Sequence, residues 1–347
     1  MHPVQFGFCV PIFAHPGPRL FRTPNYAQLD AATTLAMARA AESLGYDSLW
    51  VADHLMLGKD EAILEGWTVL AALGGSTQRV KLGMIHQGHF FRHPALVAKM
   101  AATLDQITGG RFIYFVDAGY GKREHVCYGL FYPDSMEERM AHVVDGLETT
   151  LALWQSAAPV TRPGQFYALQ DAVCTPKPVQ QPHPPIWFGE AHPAILAACA
   201  RYGQGWNTVP VGYHEVTRRI GLLEEACAAV GRSARDLEKS LESQILIAPD
   251  RDGLRGQLRA MLDLARAGDT PAGEIDPGLA AFVAGEADDL PAHLAETWLA
   301  GTPDEVAAQV QRYLDLGITH FLLWFMDAPD RAGLELFARE VAPRFRG

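Results

Sequence analysis

The 347 residues are too many for a small module and fit either one large α/β barrel or two ordinary domains. A composition of 48% hydrophobic and 20% charged residues is that of a soluble globular protein, and a net charge of -11 excludes nucleic acid as a partner, since phosphate contacts need clustered Lys and Arg. No apolar run approaches the roughly 20 residues that span a bilayer. The N-terminus, MHPVQFGFCVPIF, lacks the basic region and cleavage site of a secretory signal, so a cytoplasmic location is expected.

In chain order, an apolar strand over 5–13 (QFGFCVPIF) leads to a helix over 28–44 that stops at Gly45. DSLWVAD (47–53) reads as a second strand, ahead of a helix near 66–77. RVKLGMIHQG (79–88) is the third, followed by a helix over 94–107. That helix opens on Pro94 and closes at Gly109 and Gly110, the expected punctuation. RFIYFVDAG (111–119) is the fourth, and the helix over 134–155 takes Asp134 as its cap with Glu137 completing a capping box. PPIWFGE (184–190) precedes a helix over 193–202, and GWNTVPV (205–211) one over 213–230. KSLESQILIA (239–248) precedes a helix over 252–267, and THFLLWFM (319–326) one over 331–342.

Eight short strands rich in Val, Ile, Phe and Trp, strictly alternating with helices, pair in parallel through right-handed crossovers. No linker divides the chain, so the expected fold is α/β, a single (β/α)8 TIM-barrel domain over 1–347. Two stretches exceed ordinary loop length: 156–185, dense in proline, and 268–300, acidic and rich in small residues. The second is assigned as a lid, ahead of a helix capped by Thr302. The five cysteines, Cys9, Cys127, Cys174, Cys199 and Cys227, are scattered without a C-x-x-C, which suits reduced thiols and offers no zinc site.

In such a barrel the chemistry sits where strands end. Asp53 and His54 end the second strand, His86 and Gln87 the third, Asp117, Ala118 and Gly119 the fourth, Gly189 and Glu190 the fifth, and Asn207 and Thr208 the sixth. Burying an unpaired polar group costs about 1–3 kcal/mol, so polar ends repeated around one rim imply a pocket whose ligand satisfies them. His86, His89 and His93 raise a metal reading, but no H-x-H ends a strand and His93 turns away before Pro94, so no metal site is assigned. Asp53 is read as an orienter of His54 or an ion-pair partner, Arg92 as a rim arginine, and Trp50, Trp187 and Trp206 as barrel packing.

Five blocks carry a resemblance in order along the chain: LGYDSLWVADH, RVKLGMIHQGHFFRHPALVAKMAATLDQITGGRF, VDAGYGKREHVCYG, PVQQPHPPIWFGEAHPAILAACARYGQGW and GTPDEVAAQVQRYLDLGITHFLL. They resemble the bacterial-luciferase-like flavin monooxygenases and related deazaflavin enzymes. The resemblance implies a luciferase-like barrel that binds reduced FMN or, in some branches, F420. It places His54 beside the ring as a catalytic histidine, and Ile85 and His86 at a non-proline cis peptide beneath it. Asp117 falls near the reactive edge with Gly119 at the same strand exit, and Glu190, Ala191 and His192 on the turn that carries the phosphate.

Two departures stand out. Ala191 and Ala194 occupy positions where luciferase has hydroxyl residues, and Ala118 stands where it has an arginine. Phosphate charge would then fall to backbone amides, His192, Lys122 or Arg123. The expected function is a monooxygenase using reduced FMN and O2 on a small organic substrate, with a separate flavin reductase as partner and a homodimeric state. The alternatives are an F420-dependent hydride-transfer enzyme, with His54 as acid or base, and a non-catalytic flavin-binding protein.

Overall fold

The computed structural model describes residues 2–14, 27–267 and 275–346. Its strands are β1 (Gln5–Cys9), β2 (Ser48–Ala52), β3 (Lys81–Ile85), β4 (Gln87–Gly88), β5 (Phe112–Asp117), β6 (Val160–Arg162), β7 (Leu169–Ala172), β8 (Ile186–Gly189), β9 (Gly205–Thr208), β10 (Glu238–Ile247), β11 (Trp298–Gly301) and β12 (His320–Phe325). Between them run α1 (Ala31–Ser43), α2 (Gly66–Ser76), α3 (Pro94–Thr108), α4 (Lys122–Cys127), α5 (Met136–Gln155), α6 (Pro193–Tyr202), α7 (Tyr213–Ala229), α8 (Arg251–Ala267), α9 (Pro277–Ala284), α10 (Ala292–Ala295), α11 (Pro303–Asp315) and α12 (Ala332–Glu340). No described helix is long and apolar enough to cross a membrane.

Eight parallel strands close on themselves in the order β1, β2, β3, β5, β8, β9, β10, β12, with β12 returning to β1. This is the expected (β/α)8 barrel. Trp50 and Trp187 meet across the interior with ring centroids 5.2 Å apart, and His320 packs on both at 5.9 and 5.4 Å. Those rings come from β2, β8 and β12, so they plug the barrel axis. Glycines make the room: a Cβ on Gly83 would lie 2.3 Å from the Trp50 ring, and one on Gly205 2.3 Å from the Trp187 ring. Both ring nitrogens of His320 are paired, with Glu238 at 2.8 Å and with Ser48 at 2.7 Å.

Local signals explain the helix ends. His93 Nδ1 accepts the Ala95 N–H at 3.2 Å to open α3, and Gly109 closes it at φ 64°. Thr302 and Glu305 form the capping box of α11. The cap of α5 is Ser135, one residue beyond the expected Asp134: its hydroxyl accepts the Glu138 N–H at 3.0 Å, while the exposed Asp134 carboxylate pairs with Lys122.

Three features stand out among those not expected from the sequence. β6 and β7 form an antiparallel hairpin inside the proline-dense 156–185 stretch. β11 adds to the outer edge of β10, with Gln244 opposite Trp298. The third is α4, discussed below. The segment expected as a lid lies partly outside the described residues, at 268–274. Its described part packs Leu279, Phe282 and Val283 with Leu254 and Leu258 of α8 and with Leu246, Trp298 and Met326 at the ends of β10, β11 and β12, forming a second apolar cluster.

Candidate active site

A cavity of about 430 Å³ opens at the C-terminal ends of the strands. Of the residues singled out from the sequence, Asp53, His54, Ile85, His86, Asp117, Gly119 and Glu190 line it. They arrive from β2, β3, β5 and β8, as the rim argument requires. Phe13, Leu57, Phe91 and Val209 supply apolar wall. None of the described residues of α8, α9 or β11 reaches it; that segment buries its apolar side chains on α8 instead.

The floor is a buried polar cluster. The Ile85–His86 peptide is cis, as the resemblance implied. His86 Nδ1 lies 3.5 Å from Asp117 Oδ2, while its Nε2 lies 3.2 Å from Asn207 Oδ1 and 3.6 Å from Glu242 Oε2. Asn207 Nδ2 donates to Ser240 at 2.9 Å, which aims its carbonyl oxygen at His86. Gly189 lacks the Cβ that would sit 3.4 Å from His86 Nε2. Asp117 Oδ1 accepts the Gly119 N–H at 2.7 Å, but its Oδ2 is buried without a hydrogen-bond partner. Burial pushes the Asp117 carboxyl up, against the pull of His86. A buried acceptor left open at the cavity floor is an invitation to a ligand N–H.

His54 is half-buried, and its partner is a residue that sequence reasoning missed. Its Nδ1 lies 2.8 Å from Oε1 of Glu124 on α4. Oε2 of the same carboxylate accepts the N–H groups of Leu55 at 2.7 Å and Met56 at 3.3 Å. Asp53, the residue expected to orient His54, also lines the cavity but gives its carboxylate to Arg92 at 2.9 Å; the Arg92 fork also reaches Glu65. Arg92 is thus a largely buried structural cation and no solvated rim residue.

The turn over 190–192 carries an ion pair of its own. Glu190 adopts φ 74°, a left-handed conformation that favours glycine, and its carboxylate pairs with Arg219 at 2.9 Å. Ala191 and His192 do not line the cavity; His192 Nδ1 caps α6 by accepting the Ala194 N–H at 3.3 Å. Lys122 and Arg123 are engaged by Asp134 and Glu61. The cations proposed to meet a phosphate therefore already hold carboxylates.

Comparison with known proteins follows the geometry. An F420-dependent glucose-6-phosphate dehydrogenase of Beutenbergia cavernae is 30% identical over 321 residues, covering 90% of this chain and 93% of that protein. One of Microbacterium testaceum is 29% identical over 317 residues, covering 88% and 91%. An F420-dependent secondary alcohol dehydrogenase, solved with an F420-acetone adduct, superposes with a TM-score of 0.75 over 100% of both chains at 24% identity, which shows the shared fold. These relatives overturn the expectation of a reduced-FMN monooxygenase: the cofactor in their names is F420 and their reactions are dehydrogenations. One rim can host either tricyclic ring, so the strand-end pattern alone did not separate them. The sequence model described as luciferase-like monooxygenase matches residues 5–320, nearly the whole barrel, and on that match the chain belongs to this family and is an oxidoreductase of its class.

Proposed function

We propose that this protein is an F420-dependent dehydrogenase that oxidises an alcohol, or reduces the matching carbonyl, at the C-terminal rim. What carries the reading is the run of curated relatives that are F420-dependent dehydrogenases across nearly the whole chain. The described residues fit the ring. The open Asp117 Oδ2 would accept an N–H from its pyrimidine edge, and Ile85 and His86 would floor it. When bound, F420 supplies two-electron hydride chemistry.

The remaining work falls to side chains. His54 gives or takes the proton of the substrate oxygen, since an imidazole nitrogen can serve as donor or acceptor. Phe13, Leu57 and Phe91 keep water from the reacting atoms. Among the described residues the wall carries carboxylates and imidazoles and no lysine or arginine, which favours an uncharged substrate over a sugar phosphate. A flavin reductase has no part in this chemistry.

The test is a titration of the purified protein with oxidised F420 and, separately, with FMN, followed by fluorescence. A panel of secondary alcohols and glucose-6-phosphate is then added, and bleaching of the visible F420 band is recorded. Saturable F420 binding with alcohol-dependent bleaching is expected. Failure of F420 to bind would remove the reading.

A further inference from the structure

Glu124 does more than fill space beside His54. Burial pushes its carboxyl up, yet the hydrogen bonds from His54, Leu55 and Met56 outweigh burial and leave it below the ordinary glutamate value. It is therefore ionised at neutral pH, and an ionised carboxylate can only accept. Both of its oxygens are in use, Oε1 toward His54 Nδ1 and Oε2 toward two backbone N–H groups. The other charged groups near His54 do not compete for Nδ1. Asp53 is held by Arg92, Asp117 faces His86, and His125 Nδ1 pairs with the Gly121 carbonyl at 3.0 Å.

We infer that Glu124 fixes neutral His54 as its Nδ1–H tautomer, so that the Nε2 lone pair faces the cavity and takes the proton of a substrate hydroxyl. Glu124 is then a positioning residue, acting through His54. The ligand that the resting site recognises is an alcohol or hemiacetal, because Nε2 offers an acceptor that a carbonyl oxygen cannot use. In the proton transfer the substrate O–H bond breaks, its electron pair stays on oxygen, and a new N–H bond forms at Nε2. The resulting imidazolium lies against the Glu124 carboxylate, which offsets its charge. The substrate class rests on the dehydrogenase reading, with oxidised F420 as the hydride acceptor; the tautomer does not.

Two-bond proton–nitrogen NMR of the full chain labelled at histidine nitrogen reads the tautomer directly. Spectra are taken near pH 9, well above the ordinary imidazole pKa of about 6.5. The His54 signals are assigned by their loss in His54→Gln. Nδ1–H at His54 is expected, and Nε2–H would overturn the inference. In Glu124→Gln the amide N–H can donate to Nδ1, so the tautomer should switch to Nε2–H. Alcohol oxidation should then lose at least about 100-fold in kcat with KM little changed, within the usual weight of a general base. An unchanged tautomer in that variant would also sink the idea. Should Glu124→Gln fail to fold, the wild-type spectrum decides alone. Failure of F420 to bind would cancel the dehydrogenase reading and leave the tautomer result standing.

Discussion

Arg92 grips Asp53 with both ends of its guanidinium, Nη1 to Oδ2 at 2.9 Å and Nη2 to Oδ1 at 3.0 Å, while Asp53 Oδ2 also accepts the Gly88 N–H at 3.0 Å. The pair ties the end of β2 to the bend after Ile85 that floors the cavity. Arg92→Ala would leave a buried carboxylate facing no cation, a loss of about 3–5 kcal/mol in unfolding free energy. Urea denaturation at neutral pH measures it. A loss below about 1 kcal/mol would mean the pair behaves like an exposed one.

Glu190 gives an opposite expectation for binding. Its carboxylate occupies Arg219 and places negative charge on the turn where a phosphate-bearing tail would pass. Glu190→Gln removes that negative charge, while Glu215 still holds Arg219 Nε at 2.9 Å, and should tighten F420 binding several-fold. The affinity of the variant should also fall more steeply with salt. Weaker binding would instead assign Glu190 a direct cofactor contact.

Asp327 makes stability depend on pH. Its Oδ2 accepts the Gly333 N–H at 2.7 Å, its Oδ1 is buried without a partner, and burial pushes its carboxyl up to about 7. The unfolded chain titrates near the ordinary value of about 3.9. The native state therefore binds the extra proton between about pH 4 and 7, so the contribution of Asp327 is fully present at acid pH and is lost as pH rises through that window. Asp327→Asn keeps an acceptor for Gly333 and cannot ionise. Relative to wild type it should gain up to a few kcal/mol by about pH 8 and little near pH 4, read from unfolding curves across that range.

Gln244 is fully buried, and neither atom of its amide has a hydrogen-bond partner. An unsatisfied buried amide costs about 1–3 kcal/mol, so Gln244→Met, of similar shape, should raise the unfolding free energy by that order. A destabilised variant would show that the amide is satisfied in solution by bound water.

The barrel was legible in the sequence because apolar runs such as FIYFVD, buried along its whole length in β5, alternate with helices whose ends are marked by Pro94, Gly109 and Thr302. The rim was legible for the same reason: a polar residue ending a buried strand stands out. Partners far apart in the chain were not. Asp53 and Arg92 are 39 positions apart, and His54 and Glu124 are 70 apart, so only the closed barrel brings them together. Glu124 also sits on a six-residue helix, too short to show a period, reached through Gly119 and Gly121 at positive φ. The hairpin β6–β7 and the edge strand β11 are three or four residues each, below the length at which alternation can be read. The expectation of FMN failed because rim residues that flank a tricycle do not by themselves tell a flavin from a deazaflavin, and only the relatives point to F420.

The indole plug has a kinetic consequence. Among the described residues Trp50 and Trp187 close the axis, so the proposed cofactor and its substrate would share the doorway at the strand tips. Whichever lies deeper has to arrive first and leave last, so turnover should follow a compulsory order.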